Sequence, residues 1–137
     1  MSYLVDTNVL SELRRREPEP RVVEWFADRP ATTLFLSVLT LGEIRKGVEQ
    51  LADRERKLRL LDWLEVDLPR FFAGRILAVD AAVVHRWGRL QAASGRPLPA
   101  IDSLLAATAL THGLRLVTRN SRDFAFVGLD VIDPWAA

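Results

Sequence analysis

The sequence predicts an α/β fold in which a central, mostly parallel β-sheet of four or five strands carries helices on both faces. Short, almost continuous apolar segments alternate along the chain with segments whose apolar residues recur at helical spacing. Such apolar segments are typical of strands that are buried on both faces of a parallel sheet. The chain of 137 residues is long enough to bury a sizeable core, and we expect a single domain over residues 1–137.

The first half of the chain contains two predicted strands, each followed by helical segments. The predicted elements are a strand at 3–5, helices at 9–13 and 21–28, a strand at 33–37 and a helix at 40–51. Two prolines within residues 17–20 end the first helix, because proline cannot continue a helix. Helical spacing places Val22, Val23 and Phe26 on the inward face of the second helix.

The second half of the chain contains the remaining predicted strands. The predicted elements are a helical stretch from 53 to about 72, a strand at 74–79, a helix capped by Asp80, a helix from 99 to about 112 and strands at 114–118 and 130–133. Within the long helical stretch we expect Leu58, Leu61 and Leu64 to face inward. Pro69 is expected to break or kink this stretch.

Composition excludes several classes of protein. The chain has no cysteine, so disulfides, thiolate metal sites and cysteine nucleophiles are ruled out. No apolar run approaches the roughly 20 residues that a membrane span needs, and the first residues lack a signal-peptide pattern. We therefore expect a protein of a reducing, cytoplasmic compartment that makes no membrane contact. The net charge of +1 provides no overall field that would attract nucleic acid.

The positive charge is carried almost entirely by arginine, since Lys46 and Lys57 are the only lysines in the sequence. Arginine pairs with phosphate or carboxylate in a bidentate manner that lysine cannot match. Local clusters occur at residues 14–16 and at Arg115, Arg119 and Arg122. For any single arginine a solvated surface position is the simpler interpretation, so the clusters alone identify no partner.

Polar residues follow three of the predicted strands. Asp6 comes directly after the first strand, and Glu43 lies near the start of the helix after the second. Asp102 lies in the first turn or so of the helix that begins near residue 99, while Asn120 and Asp123 follow the fourth strand. In a doubly wound sheet all of these positions fall at or near one carboxyl edge, where ligands bind in open α/β sheets.

Each acid also has a purely structural interpretation. Asp6 can cap the helix that follows it, because aspartate is a favoured N-cap. Thr40 and Glu43 have the spacing of a capping box, in which the two side chains satisfy helix N–H groups reciprocally. Asp102 is harder to explain as a cap, because it lies inside the helix, beside small apolar residues and at the edge of a predicted core stripe that begins with Ile101. A carboxylate in such surroundings loses hydration and requires a cation or hydrogen-bond donors.

Converging acids without basic partners favour a bound cation. The acids would repel one another and burial would raise their pKa values, whereas a hard divalent cation removes both effects. Oxygen ligands without Cys or His point to Mg²⁺, with Mn²⁺ as the alternative. The sequence has no Walker A motif, no serine–histidine–acid set and no D-x-D signature, since position 8 is Asn8. The remaining chemistry is attack of a metal-activated water on a phosphodiester.

The motifs of this chain resemble those of a known family. They are the stretches 4–12, 36–47, 72–77, 100–109, 117–120 and 123–124, together with the closing 133–135. In this order the motifs resemble a PIN-domain ribonuclease of the VapC type, the toxin half of a bacterial type II toxin–antitoxin pair, and especially its FitB-like branch. The resemblance implies a PIN-like fold over the whole chain and a Mg²⁺-dependent endoribonuclease.

The resemblance also implies roles for individual residues. Asp6 and Asp102 are the expected Mg²⁺ ligands, and Glu43 holds a metal or its water. Asn120 departs from the family, because FitB-like members often carry an acid there, and Asp123 either assists a second metal or caps a short helix. Two hydroxyls are expected behind the ligands, those of Thr7 and Thr118.

The partners implied by the resemblance are an RNA substrate, a second copy of the chain in a homodimer and a cognate antitoxin of the VapB or FitA type. The C-terminal segment of the antitoxin is expected to block the acidic groove, and promoter DNA is bound only through the antitoxin. The RNA target is left open. Asn120 favours an alternative, a catalytically weak PIN-like dimer that acts mainly as a binding module for the antitoxin. A metal-dependent phosphatase is a more distant alternative.

Overall fold

The computed structural model describes residues 1–136 and contains a five-stranded, fully parallel sheet within them. The strands are β1 (Tyr3–Val5), β2 (Leu34–Ser37), β3 (Ile76–Leu77), β4 (Arg115–Val117) and β5 (Val131–Ile132). Their order across the sheet is β3-β2-β1-β4-β5, which puts the first strand in the centre. The predicted parallel sheet is therefore confirmed.

Helices occupy the connections between the strands. They are α1 (Thr7–Leu13), α2 (Pro20–Ala27), α3 (Val38–Glu49), α4 (Arg54–Asp62), α5 (Leu68–Phe71), α6 (Ala81–Ser94) and α7 (Ala100–His112). A π-helical turn, Trp63–Asp67, joins α4 to α5, and short 3₁₀ turns lie at Ala31–Thr33 and Ser121–Phe124. No helix within residues 1–136 is both long and apolar enough to span a bilayer.

The sheet separates two hydrophobic cores. Alternate residues of a strand point to opposite faces, so Tyr3 and Val5 pack with residues of α1 to α5, whereas Leu4 packs with residues of α7. In α7, Ala106 and Ala109 are fully buried against the second face, where their small side chains allow close packing. The prediction of helices on both faces is thus confirmed.

The start of α3 corrects the predicted capping box. This helix begins at Val38, and the hydroxyl of Ser37 caps it by accepting a hydrogen bond from the Leu39 N–H at 3.0 Å. Thr40 is therefore already inside the helix, where its side chain is fully buried. Its hydroxyl has no hydrogen-bond partner among the described residues. Glu43 consequently has no capping role, which leaves its carboxylate free for other contacts.

Several side chains that were expected to face inward are exposed. The inward stripe of α2 runs through Val22 and Trp25, so Val23 lies on the outer side. Leu58 and Ile101 are also exposed, at 55% and 40% of their surface. Apolar residues adjacent to a stripe cannot be assigned to it from spacing alone, because a one-residue difference rotates a side chain by about 100°.

The predicted break at Pro69 takes another form, and one strand boundary is wrong. Pro69 does not end the helical stretch; it follows the π-helical turn Trp63–Asp67, in which the Leu68 N–H donates to the Trp63 carbonyl, so the helical register changes just before the proline. The third strand covers only Ile76–Leu77 instead of 74–79. Gly74 has a φ of +77°, which is incompatible with an extended strand.

The strand order creates a crevice at one edge of the sheet. From β1 the chain builds outward through β2 and β3, and it then returns to the other side of β1 to form β4 and β5. The order therefore reverses between β1 and β4. Ligands of open parallel sheets bind outside the carboxyl ends of strands at such a reversal, and Asp6 and Thr118 follow these two strands directly.

Candidate active site

Asp6 occupies the reversal point in a fixed orientation. Its N–H donates to the carbonyl of Val117 at 2.9 Å and so extends the pairing of β1 with β4. Its side chain caps α1, since Oδ1 accepts from the Thr7 N–H at 2.7 Å. The capping interpretation is therefore right, and it does not compete with a functional one, because Oδ2 is directed toward Thr118.

The hydroxyl of Thr118 uses its full hydrogen-bonding capacity at this point. It donates to Asp6 Oδ2 at 2.8 Å, and it accepts from Asn8 Nδ2 and from the Asn120 N–H, both at 3.1 Å. A hydroxyl has one donor and two acceptor sites. Thr118 is fully buried, so the three bonds fix the position of the Asp6 carboxylate.

Asn8 is a site residue that the sequence analysis missed. Its amide nitrogen donates to Thr118, and its carbonyl Oδ1 accepts from the Arg119 N–H at 3.2 Å. The side chain thereby ties the start of α1 to the segment after β4. Its place two residues after Asp6 was visible in the sequence, but a contact across 110 residues leaves no local pattern.

Glu43 reaches the site from α3. Its Oε1 accepts from the hydroxyl of Thr7 at 2.6 Å, and this bond joins the second turn of α3 to the first turn of α1. The Glu43 side chain is otherwise exposed. The two expected supporting hydroxyls, those of Thr7 and Thr118, therefore contact different acids of the site.

Asp102 lies in the first turn of α7, and α6 anchors this turn. The neighbouring Ser103 is fully buried; its hydroxyl donates to the carbonyl of Pro99 at 2.6 Å. The same hydroxyl accepts from Trp87 Nε1 at 2.9 Å and from Gln91 Nε2 at 3.2 Å. The backbone that carries Asp102 is thus held firmly, and its half-buried carboxylate lies within the electrostatic influence of Asp123 and Glu43.

Asn120 and Asp123 form the outer margin of the site. Asn120 precedes the 3₁₀ turn Ser121–Phe124, which contains Asp123, and both side chains are exposed. Asn120 contacts the network through its backbone N–H, which donates to Thr118. Asp123 acts on Asp102 through its negative charge, which raises the pKa of the Asp102 carboxyl.

Burial and repulsion by neighbouring acids raise the pKa of Asp6. Loss of hydration is the main effect that raises the pKa of Asp6, while the hydrogen bonds from Thr118 and from the Thr7 backbone act in the opposite direction. The charges of Glu43 and Asp102 raise this pKa further. The net shift of the pKa is upward, so ionisation of Asp6 is less favourable in the folded protein than in the unfolded chain.

Asp102 shows the same effect. Its pKa is raised first by partial burial and then by the charges of Asp123 and Glu43. The four acids Asp6, Glu43, Asp102 and Asp123 therefore act on one another in one electrostatic field. None of them forms an ion pair with a basic side chain within residues 1–136.

The donor set fits a hard divalent cation in its chemistry. It consists of carboxylate oxygens whose charge no basic side chain of the described residues offsets, and Mg²⁺ prefers such ligands. The side chains do not form a closed cage, because no three acidic or histidine residues of the described part converge closely enough to hold a metal by themselves. Mg²⁺ is commonly bound through only one or two carboxylates, with water and phosphate oxygens as its other ligands.

Comparison with known proteins decides the family. A family model described as PIN domain matches residues 3–128. The chain belongs to the PIN domain family. This PIN-domain chain is similar to the VapC ribonuclease Y4jK of Sinorhizobium fredii, with 35% identity over 96% of both proteins. It is similar to the toxin FitB of Neisseria gonorrhoeae, with 36% identity over 96% of this chain and 97% of that protein.

Solved structures agree with this membership. The crystal structure of FitAcB from Neisseria gonorrhoeae matches with a TM-score of 0.91 and 35% identity over 98% of this chain and 99% of that chain. The structure of FitAB bound to an IR36 DNA fragment matches with a TM-score of 0.88 and 34% identity over 97% and 95%. The resemblance to the FitB-like branch and the PIN-like fold are therefore confirmed.

Proposed function

We propose that this PIN-domain protein is a Mg²⁺-dependent endoribonuclease and the toxin of a type II toxin–antitoxin pair. The observation that carries the proposal is the set of four acids that share one field at the sheet reversal without a basic partner among the described residues. The names of the relatives, VapC ribonuclease and toxin FitB, support it. Mn²⁺ is the alternative ion.

In this proposal Asp6, Asp102 and Glu43 hold the cation. When bound, it supplies positive charge at the scissile phosphate and makes a nearby water more acidic. Asp6 gives a fixed reference point, because its two oxygens are oriented by Thr7 and Thr118. Glu43 accepts from Thr7 through Oε1, which leaves Oε2 to orient the attacking water.

The outer residues contribute to substrate binding in this scheme. The Asn120 amide can donate a hydrogen bond to a phosphate oxygen without adding charge. Asp123 adds negative field beside Asp102 and so strengthens the attraction of the site for a cation. The roles of these two residues, like those of the three ligands, are predictions that mutagenesis can test.

The proposed partners follow from the same acids and from the solved complexes. A cognate antitoxin of the VapB or FitA type is expected to place its C-terminal segment across the acidic groove, where unpaired carboxylates attract a guanidinium group. The solved structure of FitAB bound to a DNA fragment supports a partner protein and a DNA-bound complex for this chain. We propose a homodimer that contacts promoter DNA through the antitoxin alone.

A second candidate function has one observation in its favour. Asn120 brings no charge, and the acids do not enclose a metal by themselves within the described part of the chain. A catalytically weak dimer that mainly binds its antitoxin would not need the acids to lie close enough to enclose a metal. The two functions differ in one measurable property, the cleavage of RNA by the free protein.

The test is RNA cleavage by the purified full chain with Mg²⁺ or Mn²⁺ and with EDTA. We expect cleavage with metal that disappears in EDTA and in Asp102→Asn. Asp28→Asn is the matched control, because Asp28 follows α2 and precedes β2, at the opposite edge of the sheet. A folded protein that binds antitoxin tightly but cuts no RNA at millimolar metal would instead support the binding module.

A further inference from the structure

One cavity away from the acids is lined mainly by arginines. This arginine pocket has a volume of about 450 Å³ and is lined by Arg14, Arg16, Asp53, Arg56, Arg59 and Leu60. Four arginines against one aspartate give the lining a formal charge of +3, whereas the whole chain carries +1. Only Leu60 among the six is apolar, so the pocket suits a charged ligand.

The guanidinium groups of the pocket are largely available. Arg59 approaches Glu55 at 3.9 Å in a pair that is exposed on both sides, and Arg14 stacks on the ring of Trp63 at 5.3 Å. Arg16 and Arg56 form no side-chain ion pair within residues 1–136. A free guanidinium binds phosphate oxygens in a bidentate manner.

A second cavity connects these arginines to the acid site. This bridging pocket, of about 170 Å³, is lined by Thr7 and Glu43 of the acid site and by Arg14 and Arg56 of the arginine pocket, and its other lining residues are mostly apolar. Thr7, Ser11 and Arg14 lie at positions i, i+4 and i+7 of the first helical segment and therefore line the same side of it. Seven helical residues span about 10 Å, a distance that a single-stranded backbone covers in a few nucleotides.

We propose that the RNA strand leaves the acid site along the surface of α1, over the opening of the bridging pocket, and that Arg14, Arg16 and Arg56 bind phosphates a few nucleotides from the cut. This inference rests on the proposed ribonuclease function. The arginines are positioning residues, because they lie away from the reacting atoms. They explain how a site of four acids retains a polyanion, since attraction along the strand offsets repulsion at the scissile phosphate.

The test is the binding of a fluorescent single-stranded RNA to the full chain in EDTA, where the proposed nuclease is inactive. We expect Arg14→Ala/Arg56→Ala to weaken binding about tenfold without altering sequence preference. Its salt dependence should also fall, by about 0.7 in the logarithmic slope for each phosphate that the variant no longer binds. Arg45→Ala is the control, because Arg45 already pairs with Glu49 and Glu65.

Further outcomes separate the test of the proposed RNA path along α1, called the RNA route, from the test of the proposed ribonuclease function. Arg14→Lys/Arg56→Lys should retain the salt slope, because it keeps the charge, and this outcome rules out a merely structural effect of the alanine variants. RNA affinity and salt slope that are unchanged in the double alanine variant would overturn the inference, even if antitoxin binding became weaker. A wild-type protein that binds RNA through these arginines but never cuts it would overturn the proposed function and leave the RNA route standing.

Discussion

The two sides of the acid site are held in different ways. On the inner side, the Asp6 carboxylate is buried and receives hydrogen bonds from the Thr7 backbone and the Thr118 hydroxyl, and Asn8 supports that hydroxyl. On the outer side, which consists of Asp102 and the neighbouring Asp123, burial and the charges of nearby acids raise the pKa of Asp102, and no hydrogen bond contributes. One acid is therefore fixed by its contacts, whereas the other is fixed only through its backbone.

This difference suggests a division of tasks. A site needs at least one group whose position does not change when substrate binds, because small displacements of a reacting group greatly reduce the rate. It also needs groups that can adjust to a cation and to a phosphate of variable position. The inner side has the rigidity required for the first task, and the outer side has the freedom required for the second.

The largest expected effect is that of Asp6→Asn on cleavage. Removal of residues behind metal ligands already reduces metal affinity or activity by about 10–100-fold, so removal of the fixed ligand itself should reduce cleavage by more than about 100-fold. Asparagine preserves the cap of α1, because it is an equally favoured N-cap. RNA cleavage under metal saturation measures the effect, and activity near the wild-type level would contradict the inner side as the anchor.

In EDTA, the stability of the same variant relative to that of the wild type should rise with pH. A raised pKa in the folded state means that folding favours protonated Asp6. Stability is therefore highest below the ordinary value of 3.8 and falls as the pH rises toward the raised value, above which the full penalty applies. Asp6→Asn removes this penalty. Thermal denaturation at about pH 3.5 and about pH 7 should show the free energy of unfolding of the variant rising with pH relative to that of the wild type.

Thr118→Val tests whether the inner side depends on its hydroxyl. Valine keeps the shape but removes the donor to Asp6 and the acceptor for Asn8, which should reduce unfolding free energy by about 1–3 kcal/mol. Cleavage should fall by about 10–100-fold. Thr118→Ser should restore most of both. Thr111→Val is the control, since that hydroxyl bonds only its own helix, at Ala107, and an equally large reduction there would remove the specific role of Thr118.

Lengthening each acid sharpens the contrast between the two sides. Asp102→Glu should retain measurable cleavage, because no hydrogen bond fixes the outer carboxylate and the longer side chain can change its rotamer to accommodate the extra methylene. Asp6→Glu should retain almost none, because the longer side chain displaces the oxygens that Thr7 and Thr118 orient. Cleavage rates of the pair provide the measurement. Equal reductions in both variants would show that the two sides are equally rigid.

The smallest expected effect is that of Asp123→Asn. Cleavage should fall by less than about tenfold, the lower limit for residues that support a metal ligand. Because the charge of Asp123 helps to raise the pKa of Asp102, its removal should lower that pKa. The acidic limb of the pH–rate profile should then move to lower pH. An acidic limb at the same pH in the variant would mean that ionisation of Asp102 does not determine this limb.

The sequence predicted the positions of the acids better than their contacts. Asp6 was placed correctly, because a buried strand that runs into a carboxylate is a local pattern. Glu43 was first explained by a capping box with Thr40, and this failed because Ser37 caps the helix three residues earlier. The bond from Asn8 to Thr118 joins segments that are far apart in the chain, so no local spacing encodes it.

The outer surface was also harder to predict than the sheet. Val23, Leu58 and Ile101 were assigned to the core from helical spacing, and all three are exposed. Helix rotation depends on which neighbours pack against it, and this information is not local. Strand positions are more reliable, because residues buried on both faces leave an unbroken apolar segment in the sequence.

The way in which Asn120 contacts the site has a consequence for how this chain can diverge. Its backbone N–H, not its amide, donates to Thr118, and every residue except proline provides that group. An acid and an amide at position 120 therefore preserve this hydrogen bond equally, whereas at position 118 only threonine and serine supply the short hydroxyl that it requires. A substitution at position 120 can therefore change the charge at the outer margin of the site while the hydrogen bonds that hold Asp6 stay in place.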